Sequence, residues 1–338
     1  MTFTVDIHHH LIPDFYRRAS EHDGQSVGGV LPAAWSQASA LSFMDDAGID
    51  VAIASISAPG VHLGDDAEAL ALARRCNDFL ADMVRSRPDR FGGFAILPLP
   101  DVAAALDELA RALDQLGLDG VVLLTNAHGR YLGDPLYGPL FDELQRRAAV
   151  VFIHPTTSPD ASAHSLGIPD SLLDFPVDTS RTVAHMHYSG TFARTPDIKY
   201  VLSHAGGTVP YLARRFAIID EMGVLPDEDG TRGSAADTFR RLYWDTALSW
   251  SNPALHTLRD VVGLDHVLYG SDYPYVRRDI AARGRAELEA SCELSDADRA
   301  VVLHGAAVGL LPRLAAHPRP TDGAGYSARA VPQGEGGG

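Results

Sequence analysis

The chain has 338 residues, of which 46% are hydrophobic and 21% are charged. This length and composition exclude collagen-like, coiled-coil and wholly disordered chains, and they suffice for one large α/β domain of barrel size. The formal net charge of −16 repels nucleic-acid phosphates and anionic lipid headgroups, so we expect no nucleic-acid partner and no membrane association.

In chain order, short apolar runs alternate with longer helical patterns, as in chains that build a parallel sheet. The runs predict eight strands, at residues 5–8, 50–57, 91–99, 119–124, 150–154, 198–204, 242–247 and 266–272. The clearest helical patterns lie at residues 65–87, 102–116, 136–148, 179–190, 208–222 and 252–262. This alternation predicts an α/β fold, a distorted TIM or (β/α)8 barrel, with a doubly wound sheet as the alternative. The first strand carries no glycine-rich dinucleotide motif, which favours the barrel.

The pattern predicts a single domain over residues 1–312, with a small N-terminal excursion at 12–38 and another at 155–177. Residues 313–338 end in GEGGG and are typical of a flexible, disordered tail. The two cysteines cannot form a disulfide framework and indicate a reducing compartment. Because the N-terminus lacks a signal-peptide pattern and no apolar run approaches about 20 residues, we expect a cytoplasmic location.

The histidines, 15 in all, include several at the carboxyl ends of predicted strands. His8 and His10 end the first strand, where residues i and i+2 point to the same side. His154 ends the fifth strand, His204 the sixth, and Asp272 the eighth. In a barrel these strand ends surround one face, which carries the active site. A nitrogen-rich set with one carboxylate suits a transition metal such as Zn²⁺.

Each of these residues also has an ordinary structural interpretation. A histidine pair near an N-terminus is weak evidence for a ligand and resembles part of a purification tag. A histidine or an aspartate at a strand end often caps the next turn or helix. The prediction of a metal centre therefore depends on all of these residues meeting on one face.

Four stretches of sequence carry a family resemblance: 6-DIHHHLIP, 153-IHPTT, 203-SHAGGTVPYLARR and 269-YGSDYPY. On these the chain resembles the amidohydrolase superfamily, in the branch of aminocarboxymuconate semialdehyde decarboxylase. Other stretches are similar to proteins related to 6-methylsalicylate decarboxylase: 54-ASISAPGVHLGDD, 96-ILPLPDVAAALDEL, 120-GVVLLTN, 131-YLGDP and 174-DFPVDTSRT. One departure is Ala306, which stands where the family usually has an asparagine that supports the strand-eight loop.

The resemblance implies a distorted (β/α)8 barrel with one divalent metal ion, usually zinc or manganese, in a homodimer. By resemblance the metal ligands are His8, His10, His154 and Asp272. His204 is then the acid/base group that steers a metal-bound water. Binuclear relatives bridge their metals with a carboxylated lysine from strand four. Strand four here has no lysine, and the only lysine of the chain lies on strand six, which favours a single metal.

The function expected from this set is metal-dependent, non-oxidative decarboxylation of a salicylate-like aromatic or an enolic carboxylic acid. The metal would chelate the substrate carboxylate and the ortho oxygen, and Asp272 or a metal-bound water would protonate the ring carbon. One alternative is a metal-dependent hydrolase or hydratase that uses a metal-bound hydroxide activated by His204. Another is a catalytically inactive, ligand-binding barrel.

A small-molecule carboxylate needs a cation or hydrogen-bond donors outside the metal centre. Arg215 matches a substrate-binding arginine of the resembling family, and Arg181 is a second candidate. Both residues also have an ordinary interpretation, as partners of surface or intramolecular ion pairs. Asn126, His128 and His62 follow the fourth and second strands, so they are candidates for lining the substrate pocket.

Overall fold

The computed structural model describes residues 3–21, 34–158, 166–227 and 230–316. Across these residues, eight parallel strands form one sheet whose spatial order follows the chain order. The strands are β1 (Val5–His10), β2 (Val51–Ser55), β3 (Phe91–Ile96), β4 (Gly120–Leu124), β5 (Val150–His154), β6 (Lys199–Leu202), β7 (Tyr243–Asp245) and β8 (Val267–Leu268). Each falls at a predicted strand position, so the predicted alternation is confirmed.

Strand β1 closes the sheet against the segment that follows β8. The Ile7 N–H donates to the Tyr269 carbonyl at 2.9 Å, and the Asp272 N–H donates to the His8 carbonyl at 2.9 Å. A doubly wound sheet would leave its edges open, whereas here the first and last strands meet. The predicted TIM-type barrel is therefore confirmed.

Helices connect the strands and cover the outside of the barrel. They are α1 (Asp14–Ser20), α2 (Gln37–Ala47), α3 (Asp66–Ser86), α4 (Val102–Ala110), α5 (Gly138–Arg146), α6 (Asp170–Tyr188), α7 (Thr191–Arg194), α8 (Val209–Met222), α9 (Ala235–Arg241), α10 (Asn252–Val262), α11 (Arg278–Ala290), α12 (Asp296–Ala300) and α13 (Ala306–Leu310). Local capping explains several starts: Asp65 and Asp101 accept hydrogen bonds from backbone N–H groups in the first turns of α3 and α4.

Two elements differ from their predicted bounds. Helix α6 begins at Asp170 rather than at residue 179, so it takes in the end of the predicted excursion. Pro176 lies inside it, and the carbonyl that loses its partner belongs to the exposed Leu172 near the N-terminal end of the helix, where water can solvate it. Strand β8 is only two residues long, so Asp272 lies in the loop that follows it, with a φ of 57°.

Parts of the predicted excursions and tail lie outside the described residues, namely 22–33, 159–165 and 317–338. Residues 312–316 form a short 3-10 helix at the end of the described chain. The described residues contain no helix with the length and apolar character that crossing a bilayer requires.

Buried aromatic rings fill the barrel beneath the carboxyl ends of its strands. Phe152 lies two residues before His154 on β5, so both side chains face the barrel interior. Its ring packs edge-on against His8 at 5.0 Å between centroids, and it contacts Phe94 at 5.7 Å. These rings form an apolar floor that excludes water from below the histidines.

Candidate metal centre

The three consecutive histidines of β1 are all buried, and the two outer ones face the barrel interior. His9 points to the other side, where its Nδ1–H donates to Asp6 at 3.0 Å and its ring packs 5.1 Å from Tyr273. His8 and His10 turn their Nε2 atoms toward each other, 3.0 Å apart. Because these histidines are buried within a barrel strand, they are part of the fold, which excludes their interpretation as a purification tag.

The predicted ligand residues converge at the mouth of the barrel. Asp272 Oδ1 lies 3.3 Å from His8 Nε2 and 3.2 Å from His10 Nε2. One donor atom each from His8, His154, His204 and Asp272 lies within 4.8 Å of the others. The structure therefore brings together all five side chains that the sequence places at strand ends, from four different strands or their following loops.

The second ring nitrogen of each histidine explains why the Nε2 atoms face inward. His8 donates through Nδ1–H to Asp245 Oδ2 at 2.7 Å, while His10 and His154 donate to main-chain carbonyls at 3.3 and 2.8 Å. A neutral imidazole whose Nδ1 carries the proton presents a bare lone pair at Nε2. Buried lone pairs that face each other across 3.0 Å repel unless a cation lies between them, so these residues fit a metal ion.

The pKa shifts of these residues also agree with a cation at this position. Burial lowers the pKa of His8, but the carboxylates of Asp245 and Asp272 outweigh it and raise the pKa to about 10. Burial and the neighbouring histidines lower the pKa of His10 and hold that of His154 well below its ordinary value. Burial alone would raise the pKa of Asp272, but its contacts with His10, His204 and His8 hold it well below its usual range. A proton on His8 thus occupies the place that a metal cation would take.

His204 and Asp272 are held in unusual backbone conformations. His204 has a φ of 52° and Asp272 a φ of 57°, in the left-handed region that non-glycine residues seldom occupy. Gly206 makes the close turn after His204 possible, because a Cβ there would lie 2.2 Å from the Trp244 ring. The turn directs His204 Nε2 to within 3.4 Å of Asp272 Oδ2.

A buried aspartate on β1 fixes the loop that carries Asp272. Asp6 accepts hydrogen bonds from the Ser271 hydroxyl at 2.5 Å and from the Ser271 N–H at 2.9 Å. The Tyr269 N–H donates to the Val302 carbonyl at 2.9 Å. Ala306, which replaces the usual asparagine of the family, is buried in α13 without contributing a side-chain hydrogen bond. Support for this loop therefore comes from Asp6 and from the backbone.

Asp245 is a site residue that the sequence analysis missed. It ends β7, is fully buried, and accepts from His8 Nδ1–H through Oδ2 and from the His204 N–H through Oδ1. One carboxylate thus orients two of the converging histidines. The signal was present in the sequence, because an acid at the carboxyl end of an apolar strand in a barrel faces the active site.

Replacing Asp245 with asparagine should weaken metal binding by about 10- to 100-fold, since carboxylates behind a metal-bound histidine have effects of that size. The amide nitrogen would face a donor, His8 Nδ1–H, and the ring would lose its orientation. Competition titration with a chromophoric chelator measures the affinity. Asp260→Asn, at an exposed acid on α10, is the matched control; equal affinity in both variants would contradict the role given to Asp245.

A cavity of about 720 Å³ opens over the metal centre, and we call it the metal cavity. It is lined by Ser57, Ala58, His154, Pro169, Ser171, Leu172, Phe175, Pro176, His204, Gly207, Leu248, Ser249, Asp272, Tyr275, Val276, Arg277 and Ile280. Most of this lining is apolar or aromatic, with the converging His and Asp side chains on one side. Such a cavity suits a single aromatic ring with a polar edge.

The predicted substrate residues lie elsewhere. Asn126, His128 and His62 line a second cavity on the same end of the barrel. Arg181 and Arg215 are exposed, on α6 and α8, and neither is among the described residues that line the metal cavity.

Arg181 and Asp178 lie three residues apart on α6, but no ion pair between them is among the described contacts. Arg181 donates to the Ser158 hydroxyl at 3.3 Å. Asp178 is buried and accepts hydrogen bonds from Asn126 at 3.0 Å and from Tyr131 at 2.5 Å. These bonds join α6 to the short hairpin after β4, so the polar groups of Asn126 serve the loop structure.

A barrel with a His-x-His pair on its first strand, histidines after the fifth and sixth, and an aspartate after the eighth defines a metal-dependent enzyme of the amidohydrolase type. The family model described as Amidohydrolase matches residues 5–313, so the chain belongs to that family. The resemblance on the sequence motifs is thereby confirmed.

Similar proteins narrow the class to carboxy-lyases. The chain is 40% identical to Decarboxylase yanB of Aspergillus niger, over 80% of this chain and 77% of that one. It is 36% identical to 6-methylsalicylic acid decarboxylase acuB of Aspergillus aculeatus, over 92% and 96%. Among solved structures, a dihydroxybenzoic acid decarboxylase from Polaromonas with bound manganese and the inhibitor 2-nitroresorcinol matches with a TM-score of 0.78, at 25% identity over 93% and 98%. The chain is therefore a decarboxylase of the amidohydrolase superfamily.

Proposed function

We propose that the protein removes the carboxyl group of a salicylate-like aromatic acid as CO2, with one divalent metal ion held by His8, His10, His154 and Asp272. The observation that carries this proposal is the convergence of these side chains on one side of a cavity with an apolar lining. The relatives named for 6-methylsalicylic and dihydroxybenzoic acids support the same substrate class.

A divalent ion bound there would act as a Lewis acid and as a template that orients the carboxylate and the ortho oxygen of the substrate. The nitrogen-rich donor set favours zinc, while the structurally similar decarboxylase from Polaromonas carries manganese. Loading the metal-free protein separately with each ion and comparing turnover distinguishes these two choices.

The residues on either side of the ring would fix its orientation. Phe175 and Tyr275 line the metal cavity together with the aliphatic Leu172, Val276 and Ile280. Aromatic and aliphatic side chains hold a flat ring by its faces and leave its polar edge toward the converging histidines.

Asp272 and His204 would then move the protons. Asp272 is a carboxylate at rest, because its pKa is well below its usual range. It would accept the proton of the ortho hydroxyl, whose acidity a bound divalent ion would increase. It returns that proton to the ring carbon that bears the carboxylate. The carbon–carbon bond then breaks, CO2 leaves, and the bonding electrons restore the aromatic ring. His204, 3.4 Å from Asp272, delivers the one proton that the reaction consumes to the phenolate oxygen.

Turnover in D2O separates this reaction from its main alternative. Decarboxylation should release one CO2 per substrate and place one deuterium on the ring carbon that loses the carboxyl group. A panel of hydroxybenzoates, followed by CO2 detection and mass spectrometry, makes the measurement. Addition of the elements of water without CO2 would instead assign hydrolysis or hydration to the same residues, and no turnover together with no bound metal would assign an inactive barrel.

Arg277 is our candidate for guiding the substrate carboxylate into the metal cavity. It lines that cavity just before α11 and forms a two-pronged ion pair with Asp279, at 2.7 and 2.8 Å. Such an exposed pair contributes little stability, so the guanidinium can exchange its partner for a substrate carboxylate. On a protein with a net charge of −16, a cation at the cavity mouth also offsets repulsion of an anionic substrate.

Replacing Arg277 with alanine should raise the KM of a hydroxybenzoate about tenfold, equivalent to ~1.4 kcal/mol, and leave kcat nearly unchanged. Steady-state kinetics at low and high salt provides the measurement, and the effect should shrink as salt rises. Arg278→Ala is the matched control, because that arginine pairs with Asp46 and does not line the cavity. An equal KM for the two variants would contradict the assignment.

We also propose that the protein is a homodimer that associates through one face of α8. Tyr211, Ile218 and Met222 are exposed on this helix at spacings that place them on one side, and Tyr211 is 86% exposed. The double variant Tyr211→Arg, Met222→Arg should shift the protein from dimer to monomer in size-exclusion chromatography with light scattering. A double variant at exposed Arg74 and Arg85 on α3 is the control, and a wild-type monomer would contradict the proposal.

A further inference from the structure

A second cavity of about 420 Å³ lies at the mouth of the barrel, and we call it the side cavity. Its floor includes Ile96, Val122 and Leu124, from β3 and β4. In the parallel register, Ile96 pairs with Val122 and Leu124 pairs with His154, and paired residues face the same side of a sheet. Because His154 faces the metal centre, the side cavity opens on the same interior face, beside the metal cavity.

The two cavities are lined by different residues of neighbouring segments. Among the described residues, none lines both cavities, although the lining passes from one to the other within residues 57–62 and 154–157. The buried Tyr16 hydroxyl lies between the carbonyls of Ser57 and Gly60 and donates to them, at 3.2 and 3.0 Å. This contact holds in place the loop after β2, which lines the metal cavity at Ser57 and the side cavity at Gly60, so the side cavity keeps its position beside the metal cavity.

The two cavities differ in charge. The metal cavity contains the Asp272 carboxylate and the Arg277 guanidinium. The described lining of the side cavity includes no Lys, Arg, Asp or Glu, and its floor is aliphatic. A carboxylate transferred there would lose its hydration without gaining a counter-ion, whereas a neutral ring would lose little.

A hydrogen-bonded chain at the rim determines which polar group fits. Asp66 Oδ1 lies 2.7 Å from His62 Nε2, and His62 Nδ1 lies 2.6 Å from His128 Nε2. A carboxylate only accepts, so a neutral His62 donates through Nε2 and accepts at Nδ1, and His128 donates through Nε2. The remaining ring nitrogen of His128, Nδ1, then carries a lone pair that accepts a hydrogen bond.

We propose that the side cavity binds a neutral, hydroxyl-bearing aromatic ring, the chemical class of a decarboxylated phenol. The aliphatic floor takes the ring, and His128 Nδ1 accepts the phenolic hydroxyl hydrogen. That such a phenol is this protein's own product rests on the proposed function; the binding itself does not. The metal cavity would hold the charged acid, and the side cavity the neutral phenol that remains after CO2 has left.

Direct titration of the full chain with 3-methylphenol tests this proposal, with isothermal calorimetry as the readout. His8→Ala should bind 3-methylphenol as tightly as the wild type, because the metal centre is not involved. His128→Gly, which suits a φ of 50°, and Ala127→Phe, which fills the rim, should each weaken binding at least tenfold. 3-Methylbenzoate, the matched anion, should bind His8→Ala at least tenfold more weakly than the phenol does.

The possible outcomes are distinct. Equal binding of the phenol to wild type, His128→Gly and Ala127→Phe would overturn the proposal, as would tighter binding of the benzoate to His8→Ala. Loss of binding in the two side-cavity variants, with melting temperatures close to wild type, would support it. A protein that binds the phenol in this way but releases no CO2 from any hydroxybenzoate would refute the proposed function and leave the side-cavity site standing.

Discussion

Replacing His8 with alanine should remove the bound metal and lower the rate of CO2 release about a thousandfold or more. The side chain supplies a buried Nε2 donor within 3.3 Å of both His10 and Asp272, and no neighbouring group can take its position. Lewis-acid stabilisation of a substrate contributes several kcal/mol, and each 1.36 kcal/mol is a factor of about ten in rate. Elemental analysis of the purified variant and a CO2 assay give the two readouts together.

The control for this prediction is His256→Ala. His256 is an exposed histidine on α10 that contacts Glu293, so its loss changes the histidine content but not the metal centre. A His8→Ala protein that retains one equivalent of metal and normal turnover would contradict the ligand assignment. Metal retained without turnover would instead point to His10, His154 and Asp272 as a sufficient set, with His8 needed only for geometry.

Local sequence patterns were sufficient to predict most of the side chains that converge at the mouth of the barrel. The period of two in a strand places His8 and His10 on one face and His9 on the other, and the buried histidines of β1 follow that rule. The apolar runs of the fifth and eighth strands stop at polar residues, and these stops predict the strand ends at His154 and near Asp272. In a barrel, such stops fall on one face because all strands are parallel.

Features that depend on contacts between distant segments could not be read from the sequence. Asp245 orients His8 across 237 positions of the chain, and no local pattern pairs the two. His62 and His128 line the side cavity rather than the metal cavity, although both follow barrel strands as predicted. Which arginine lines the metal cavity likewise depends on where α11 packs.

Buried acids position the groups of the catalytic face, and each acid contacts different partners. Asp6 fixes the loop that carries Asp272, and Asp245 fixes two histidines. Each of these carboxylates accepts several hydrogen bonds, as buried charges must. Asp272, unlike Asp6 and Asp245, has its oxygens turned toward histidine Nε2 atoms, at 3.2 to 3.4 Å. Of these three acids, Asp272 is the one that lines the metal cavity, where it can exchange a proton with a bound substrate.

His204→Asn should reduce kcat by about 100- to 10,000-fold, the range for loss of a positioned acid or base, while the protein keeps its metal. Asparagine tolerates the left-handed backbone that His204 adopts, with φ of 52°, so the variant is expected to fold. Its amide is too short to reach Asp272 as the Nε2 atom does from 3.4 Å. The rate of CO2 release and the metal content, measured on the same preparation, separate this effect from that of His8→Ala.

The reason for expecting metal retention is geometric. The Asp245 carboxylate accepts from the backbone N–H of residue 204 rather than from its ring, so the substitution leaves the orientation of His8 intact. His185→Asn, at a histidine of α6 outside the metal centre, serves as the control for a histidine-to-asparagine change. If His204→Asn instead lost its metal along with its activity, His204 would be a ligand, and the proton delivered to the phenolate would have to come from another group at the cavity.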